Sequence, residues 1–187
     1  MNDQKPECTG GTVLYFAYGS NMNWQQMKKR CPSARFVSIA LLPEYKLAFT
    51  RKSINRGCGV ADVVSEPGQK VWGVLYQLNQ LDVEKLDLSE GYKMGREKNS
   101  YWRRECEALQ DGDDRRSLTV FTYFGEPQLA PPSPNAEYKT LIVSGARYWN
   151  LPDNYVRDLE SIEVVKRTPP APPINTERSA SGPDHRA

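Results

Sequence analysis

Histidine is nearly absent: a chain of 187 residues carries one, His185, close to its carboxyl end. It sits in a tail that includes Thr168-Pro169-Pro170-Ala171-Pro172-Pro173 and Ser179-Ala180-Ser181-Gly182, a composition expected to stay extended or disordered. A histidine there does not serve a packed site, which excludes Ser-His-Asp and Cys-His catalysis and most histidine-based metal sites. Any acid or base is then a carboxylate, tyrosine, lysine or cysteine. Cysteine is sparse too. Cys8, Cys31, Cys58 and Cys106 contain no Cys-x-x-Cys pair, so no zinc site and no disulfide framework is expected, and free thiols are the simple reading. Cys58, beside Gly59, lacks the partner a thiolate nucleophile needs.

Charge of one sign is also missing. Lys and Arg number 25 against 23 Asp and Glu, a formal net of +2, so no field draws in nucleic acid or an anionic membrane. The basic clusters Lys28-Lys29-Arg30, Arg103-Arg104 and Arg115-Arg116 are scattered and read as solvated faces. No apolar run approaches the ~20 residues that span a bilayer. Met1-Asn2-Asp3-Gln4-Lys5 lacks the apolar core of a signal peptide, so the expected compartment is cytoplasmic.

What is present begins at Tyr15-Phe16-Ala17-Tyr18-Gly19-Ser20-Asn21, a β-prone run that ends abruptly in Gly-Ser-Asn before a helical pattern. It reads as a strand, a tight turn and a helix start. Gly19 allows positive φ and close approach of a ligand, and Ser20 and Asn21 are helix-capping residue types. Several backbone N–H groups can therefore converge on one anion.

The rest of the chain reads as one domain over residues 12–165, between a polar lead (1–11) and the Pro-rich tail (166–187). A first strand over 12–18 precedes a short helix from Asn23 that stops before Pro32. Strand-like segments follow at 34–42, 45–50, 58–64 and 70–78, and Gly73 in the last suggests a bulge or a ligand's approach. Asn79 caps a helix that ends near Glu90-Gly91. Two strands, 101–109 and 116–124, form a hairpin around Asp111-Gly112-Asp113-Asp114. Beyond Ala130-Pro131-Pro132-Ser133-Pro134 the period becomes ~3.6 residues, with Tyr138, Leu141, Ile142, Ala146 and Trp149 on one face and Asn135 as cap. Pro152 opens a last helix carrying Tyr155, Val156, Leu159 and Ile162. The expected fold class is α+β, a small mixed, mostly antiparallel β-barrel with a few packed helices.

Tyr15-Phe16-Ala17-Tyr18-Gly19-Ser20-Asn21, Val71-Trp72-Gly73-Val74, Leu86-Asp87-Leu88-Ser89-Glu90-Gly91 and the Ala130–Pro134 loop followed by Tyr138-Lys139 resemble, in order and spacing, the γ-glutamylcyclotransferase family. Gly145-Ala146 and Leu151-Pro152 with Tyr155 extend the likeness over residues 12–163. The resemblance implies a cavity that binds a γ-glutamyl group and cyclises it to 5-oxoproline, releasing an amino acid or amine without a cofactor. It gives Glu90 the role of the base, and gives Tyr15, Phe16, Ala17, Tyr18, Gly19, Ser20 and Asn21 to substrate binding. The turn's N–H groups would hold the α-carboxylate or polarise the γ-carbonyl oxygen. Tyr138 either packs or hydrogen-bonds substrate, and Tyr123 either hydrogen-bonds Glu90 or fills the barrel.

An α-ammonium titrates near ~7.7–8.0 and an ordinary glutamate near ~4.3, so proton transfer between them is uphill by roughly 3.5 units, about 5 kcal/mol. Enclosure narrows that gap. Glu90 is therefore expected among aromatic and apolar groups, without an arginine partner. Tyr92–Ser100 is longer and more charged than the family pattern, which suggests an influence on the leaving group, and Gly125–Leu129 is similarly idiosyncratic. The Tyr-Gly-Ser-Asn form is most similar to enzymes acting on γ-glutamyl amino acids. Removal of a γ-glutamyl protecting group from a larger metabolite, or a non-catalytic binding module on the same fold, are the alternatives. A homodimer is compatible with the sequence.

Overall fold

The computed structural model describes residues 11–165. The polar lead apart from Gly11, the Pro-rich tail, Cys8 and His185 lie outside the described residues. Five strands close into a barrel in the order β1 (Val13–Ala17), β3 (Gly59–Leu78), β2 (Arg35–Lys52), β4 (Tyr101–Gln110), β5 (Ser117–Gly125). Every pairing is antiparallel except β1 with β5, where Tyr15 lies opposite Phe121 in parallel. The mixed barrel expected from the sequence is the one observed.

Four short strands were expected between residues 34 and 78; there are two long ones. Pro43 and the Glu66–Gly68 stretch read as breaks, but the chain absorbs them as register shifts, with Glu44 and Gly68 at positive φ, and pairing resumes from Tyr45 opposite Ser65. The outer halves of β2 and β3 thereby carry the 53–58 hairpin and Ala61 towards the barrel mouth. Gly73 marks neither a bulge nor a ligand's approach: it pairs in register with Ala40, and a Cβ there would strike the Ala17 carbonyl and the Phe16 ring.

A 3₁₀ turn (Ser20–Met22) and four helices cover the barrel: α1 (Trp24–Arg30), α2 (Gln80–Glu90), α3 (Ala136–Tyr148) and α4 (Asp153–Ser161). The cap of α1 is Asn23, whose side chain accepts from Gln26 N at 3.0 Å, rather than Ser20 or Asn21. Asn79 and Asn135 cap α2 and α3 as expected. Gly91 ends α2 at φ +66°, with the Tyr92 N–H turned back to Asp87 O, so the side chain of Glu90 leaves the last turn next to a sharp chain reversal. Pro152 sits at the cap of α4, one position before the helix.

Asp82 joins α2 to the rest of the domain. Its carboxylate accepts from Ser33 N at 2.6 Å and from Lys85 Nζ at 3.0 Å. Burial pushes this carboxyl up, but the Ser33 and Lys85 hydrogen bonds outweigh it and hold the group below the usual carboxylate range. A depressed folded-state pKa contributes stability that is present above the unfolded value and lost as pH falls through the folded one. Asp82→Asn is accordingly expected to cost about 1–3 kcal/mol near neutrality. In urea melts the difference from wild type should shrink below about pH 4; a difference that stays constant down to pH 2 would contradict this account.

Cys31 and Cys106 are free thiols that burial pushes up to about 12. Cys58 is free and buried.

Candidate active site

The polar exit of β1 folds over the barrel mouth and shapes an inner pocket of about 310 Å³, including the space open to solvent above it. Tyr15, Tyr18, Gly19, Ser20, Asn21, Ala61, Glu90, Tyr101, Tyr123 and Tyr138 line it, and Glu90 is the one carboxylate among these described residues. Of the residues assigned to substrate from sequence, Phe16 and Ala17 are not brought to the pocket. Both side chains are fully buried, on opposite faces of β1, Phe16 against Gly73.

Gly19 does not use the positive φ open to it: its φ is −113°. Space explains the glycine instead, since a Cβ would lie 3.1 Å from Ala61 Cβ and 3.5 Å from the Tyr138 hydroxyl. The 3₁₀ turn that follows leaves the N–H groups at its start without carbonyl partners within the turn, as at any helix N-terminus.

Glu90 reaches the pocket from the end of α2 and meets a network built from the turn and α1. Asn21 Nδ2 donates to Glu90 Oε1 at 3.1 Å and to the Tyr15 hydroxyl at 2.9 Å. Arg30 Nη1 donates to the same Glu90 oxygen at 2.9 Å and to Asn21 Oδ1 at 2.8 Å. Gln26 Nε2 donates to Ser20 Oγ at 2.8 Å and to Asn21 Oδ1 at 3.1 Å, completing the frame. Glu90 Oε2 has no hydrogen-bond donor among the described residues, although its side chain is only 16% exposed.

This corrects the expectation of an arginine-free glutamate. The aromatic enclosure is present, yet Arg30 pairs with the carboxylate, because a charge set among phenols and little exposed to water needs a countercharge. Neither Arg103 nor Arg104 fills that role. Nor is every basic cluster a solvated face: Arg30 and Arg103 are 25% and 22% exposed, and Arg103 pairs with Asp87 at 2.8 Å. Tyr123 lines the pocket, but its hydroxyl donates to Asp87 Oδ1 at 2.7 Å rather than to Glu90. Burial pushes Asp87 up, and the Tyr123 hydrogen bond and Arg103 offset only part of that.

The phenols are fixed by backbone partners. Tyr101 OH donates to Ala61 O at 2.7 Å, Tyr138 OH accepts from Ala61 N at 3.0 Å, and Tyr18 OH donates to Tyr123 O. Tyr138 thus both packs, at 4% exposure, and turns its hydroxyl to the pocket. Burial is the main cause that drives Tyr15, Tyr18, Tyr101, Tyr123 and Tyr138 above the ordinary phenol range, so all are neutral donors at physiological pH and none is a base.

An outer groove adjoins the pocket, sharing Ser20, Glu90, Tyr101 and Tyr138 with it and adding Arg51 and Lys52 from the end of β2, residues 53–56 of the hairpin, Leu88, Ser89 and Gln128. From the charged Tyr92–Ser100 segment only Ser100 reaches this groove. The loop is tied down instead, with Ser100 N donating to Gly91 O and Lys93 N to Asn99 Oδ1. From Gly125–Leu129, Gln128 contributes, held by Thr50 O and Lys52 N. Sequence reasoning missed Gln26, Arg30, Ala61, Tyr101 and Arg56. Only the spacing of Gln26 and Arg30, one helical turn apart on α1, carried a local signal that they share a face.

A closed barrel with one carboxylate at its mouth, ringed by neutral phenols and countercharged by an arginine, is a small-molecule site equipped for proton transfer. The chain is 37% identical over 159 residues to the human gamma-glutamylcyclotransferase, spanning 81% of this chain and 79% of that protein, and 35% identical to the bovine one, spanning 82% and 80%. It belongs to the γ-glutamylcyclotransferase family. Residues 70–159 match the family model described as the AIG2-like family. A solved gamma-glutamyl cyclotransferase superposes with a TM-score of 0.76 at 31% identity, covering 84% of this chain and 92% of that one.

Proposed function

We propose that this protein cyclises γ-glutamyl amino acids or amines to 5-oxoproline, with Glu90 as the group that moves the proton. The observation that supports this most is the division of labour on one carboxylate: Oε1 is held by Asn21 and Arg30, while Oε2 has no protein donor among the described residues. A fixed base with one free oxygen is what an intramolecular aminolysis requires.

The substrate's own α-amine attacks its γ-carbonyl carbon, so the protein supplies no nucleophile. The new C–N bond closes a five-membered lactam, and the old amide C–N bond breaks as its electron pair returns to the departing nitrogen. Two protons leave the α-ammonium, and two reach the leaving amine if it departs as an ammonium. Glu90 Oε2 takes one of these protons from the first nitrogen and returns it to the second, and the other exchanges with solvent at the barrel mouth. The neutral phenol of Tyr138, whose oxygen accepts from Ala61 N and whose hydrogen stays free, and the N–H groups at the start of the 3₁₀ turn are the donors proposed for the substrate's carboxylate and carbonyl oxygens. Free thiols at Cys31, Cys58 and Cys106 agree with a reducing, cytoplasmic compartment.

The test is release of 5-oxoproline from γ-glutamyl-alanine, an ε-linked γ-glutamyl-lysine and glutathione, followed by mass spectrometry. Turnover of at least one is expected, and the panel then names the branch. Saturable binding of these compounds with no 5-oxoproline formed would replace the enzyme by a binding module on the same fold.

A further inference from the structure

The outer groove is unbalanced in charge. Arg30, Arg51, Lys52 and Arg56 line it against a single carboxylate, Glu90. Arg30 is already paired with Glu90 at 2.9 Å, Arg51 Nη1 donates to the carbonyl oxygens of Ser100 and Glu126, and Lys52 is exposed to solvent. Arg56 is different. Its guanidinium carbon lies 4.8 Å from the centroid of the Tyr138 ring, and its Nη2 donates to Gln26 Oε1 at 2.8 Å. It is half-buried and has no carboxylate partner among the described residues.

A guanidinium stacked on an aromatic face and anchored by one nitrogen has lost most of its rotamer freedom before any ligand arrives, and its remaining donors form a planar fork suited to a carboxylate. Tyr138 lines both the inner pocket and the outer groove, so this fork stands where the two meet. Gln26, which anchors it, also holds Ser20 and Asn21. Arg56 itself lines only the outer groove.

The following rests on the cyclotransferase reading above and adds to it that the glutamyl part, whose carbonyl must meet Glu90, enters the inner pocket and the departing part occupies the adjoining outer groove. We propose that Arg56 is a specificity-determining residue that binds the carboxylate of the departing amino acid. The substrates favoured are then γ-glutamyl amino acids with a free carboxylate on the leaving side, over γ-glutamylamines that lack one.

The experiment compares kcat/KM for γ-glutamyl-alanine and γ-glutamyl-ethylamide, which differ by that carboxylate, in wild type, Arg56→Gln and Arg56→Lys. The ratio between the two substrates is the readout, so a general loss of activity cancels from it. Wild type should prefer the alanine derivative about tenfold or more, as expected for a charge-assisted hydrogen bond at a partly open site. Arg56→Gln should bring the ratio close to one. Arg56→Lys, which keeps the charge without the fork and serves if the Gln variant does not fold, should give an intermediate ratio. An unchanged ratio in folded Arg56→Gln overturns the assignment. An equal fall on both substrates also overturns it, and moves Arg56 to the glutamyl side. Failure of wild type to release 5-oxoproline from either compound or from glutathione removes the cyclotransferase reading and this inference together, whereas an unchanged ratio removes only the inference.

Discussion

Glu90→Gln is expected to lower kcat/KM for 5-oxoproline release by about a thousandfold, while KM changes little and the melting temperature moves by no more than about 4 °C. Glutamine keeps the size of the side chain, and its amide oxygen still accepts from Asn21 and Arg30 as Glu90 Oε1 does. Only proton acceptance at the second position is lost. The stability change is small because glutamine keeps both hydrogen bonds and Arg30, 25% exposed, retains its bond to Asn21, so exchanging a charged acceptor for a neutral one costs about 1 kcal/mol. No other group in the pocket replaces the base, since burial keeps its five tyrosines protonated. Parallel kinetics and thermal melts decide the matter. Surviving activity would remove Glu90 from the reaction, and a large fall in melting temperature would make it a structural residue.

Gly145→Ala is expected to destabilise the protein by about 2–3 kcal/mol, a fall of roughly 5–10 °C in melting temperature. The direction is informative, because alanine in an ordinary helix interior is better than glycine by about 1 kcal/mol. Here α3 crosses the 3₁₀ turn backbone to backbone. A Cβ at Gly145 would lie 2.5 Å from the Met22 carbonyl carbon, 2.6 Å from Asn23 N and 2.8 Å from Met22 Cβ. Neither neighbour is the end of a flexible side chain, so the helix or the turn must move. The same contact sets the spacing between Asn21, which holds Glu90, and Tyr138, which faces it from α3. Folded Gly145→Ala should therefore also lose activity, with both kcat and KM affected. A rise in melting temperature would show that helix propensity wins and that the contact is softer than described.

Much of this molecule is legible along the chain because the deciding forces are local. Asn79 and Asn135 announce their helices because an amide oxygen two or three residues ahead of free N–H groups is useful only there. Gly91 stops α2 because its positive φ suits a residue without Cβ. The long strands were misread for a related reason: Pro43 and Gly68 disfavour regular pairing locally, but β2 and β3 have enough partners on either side to carry a shift through them. Tyr123 shows the limit differently. Asp87 and Glu90 lie about one turn apart on α2, and sequence alone did not say which of them the barrel wall would present to that phenol.

The sequence by itself determined the class of chemistry, the order of the elements and the strand–turn–helix that frames the pocket. With one histidine, placed in the tail, acid–base work was left to carboxylates, tyrosines, lysines or cysteines; the family resemblance singled out Glu90, and the glycine stop placed it at a helix end. Only the tertiary structure decided what surrounds that glutamate. Arg30 is 60 positions away and Tyr101 comes from another strand, and barrel closure brings both to the same mouth. Local preferences act over a few residues, whereas the partner of a partly buried charge is set by the register and crossing of elements distant in sequence, which burial of the whole core fixes together.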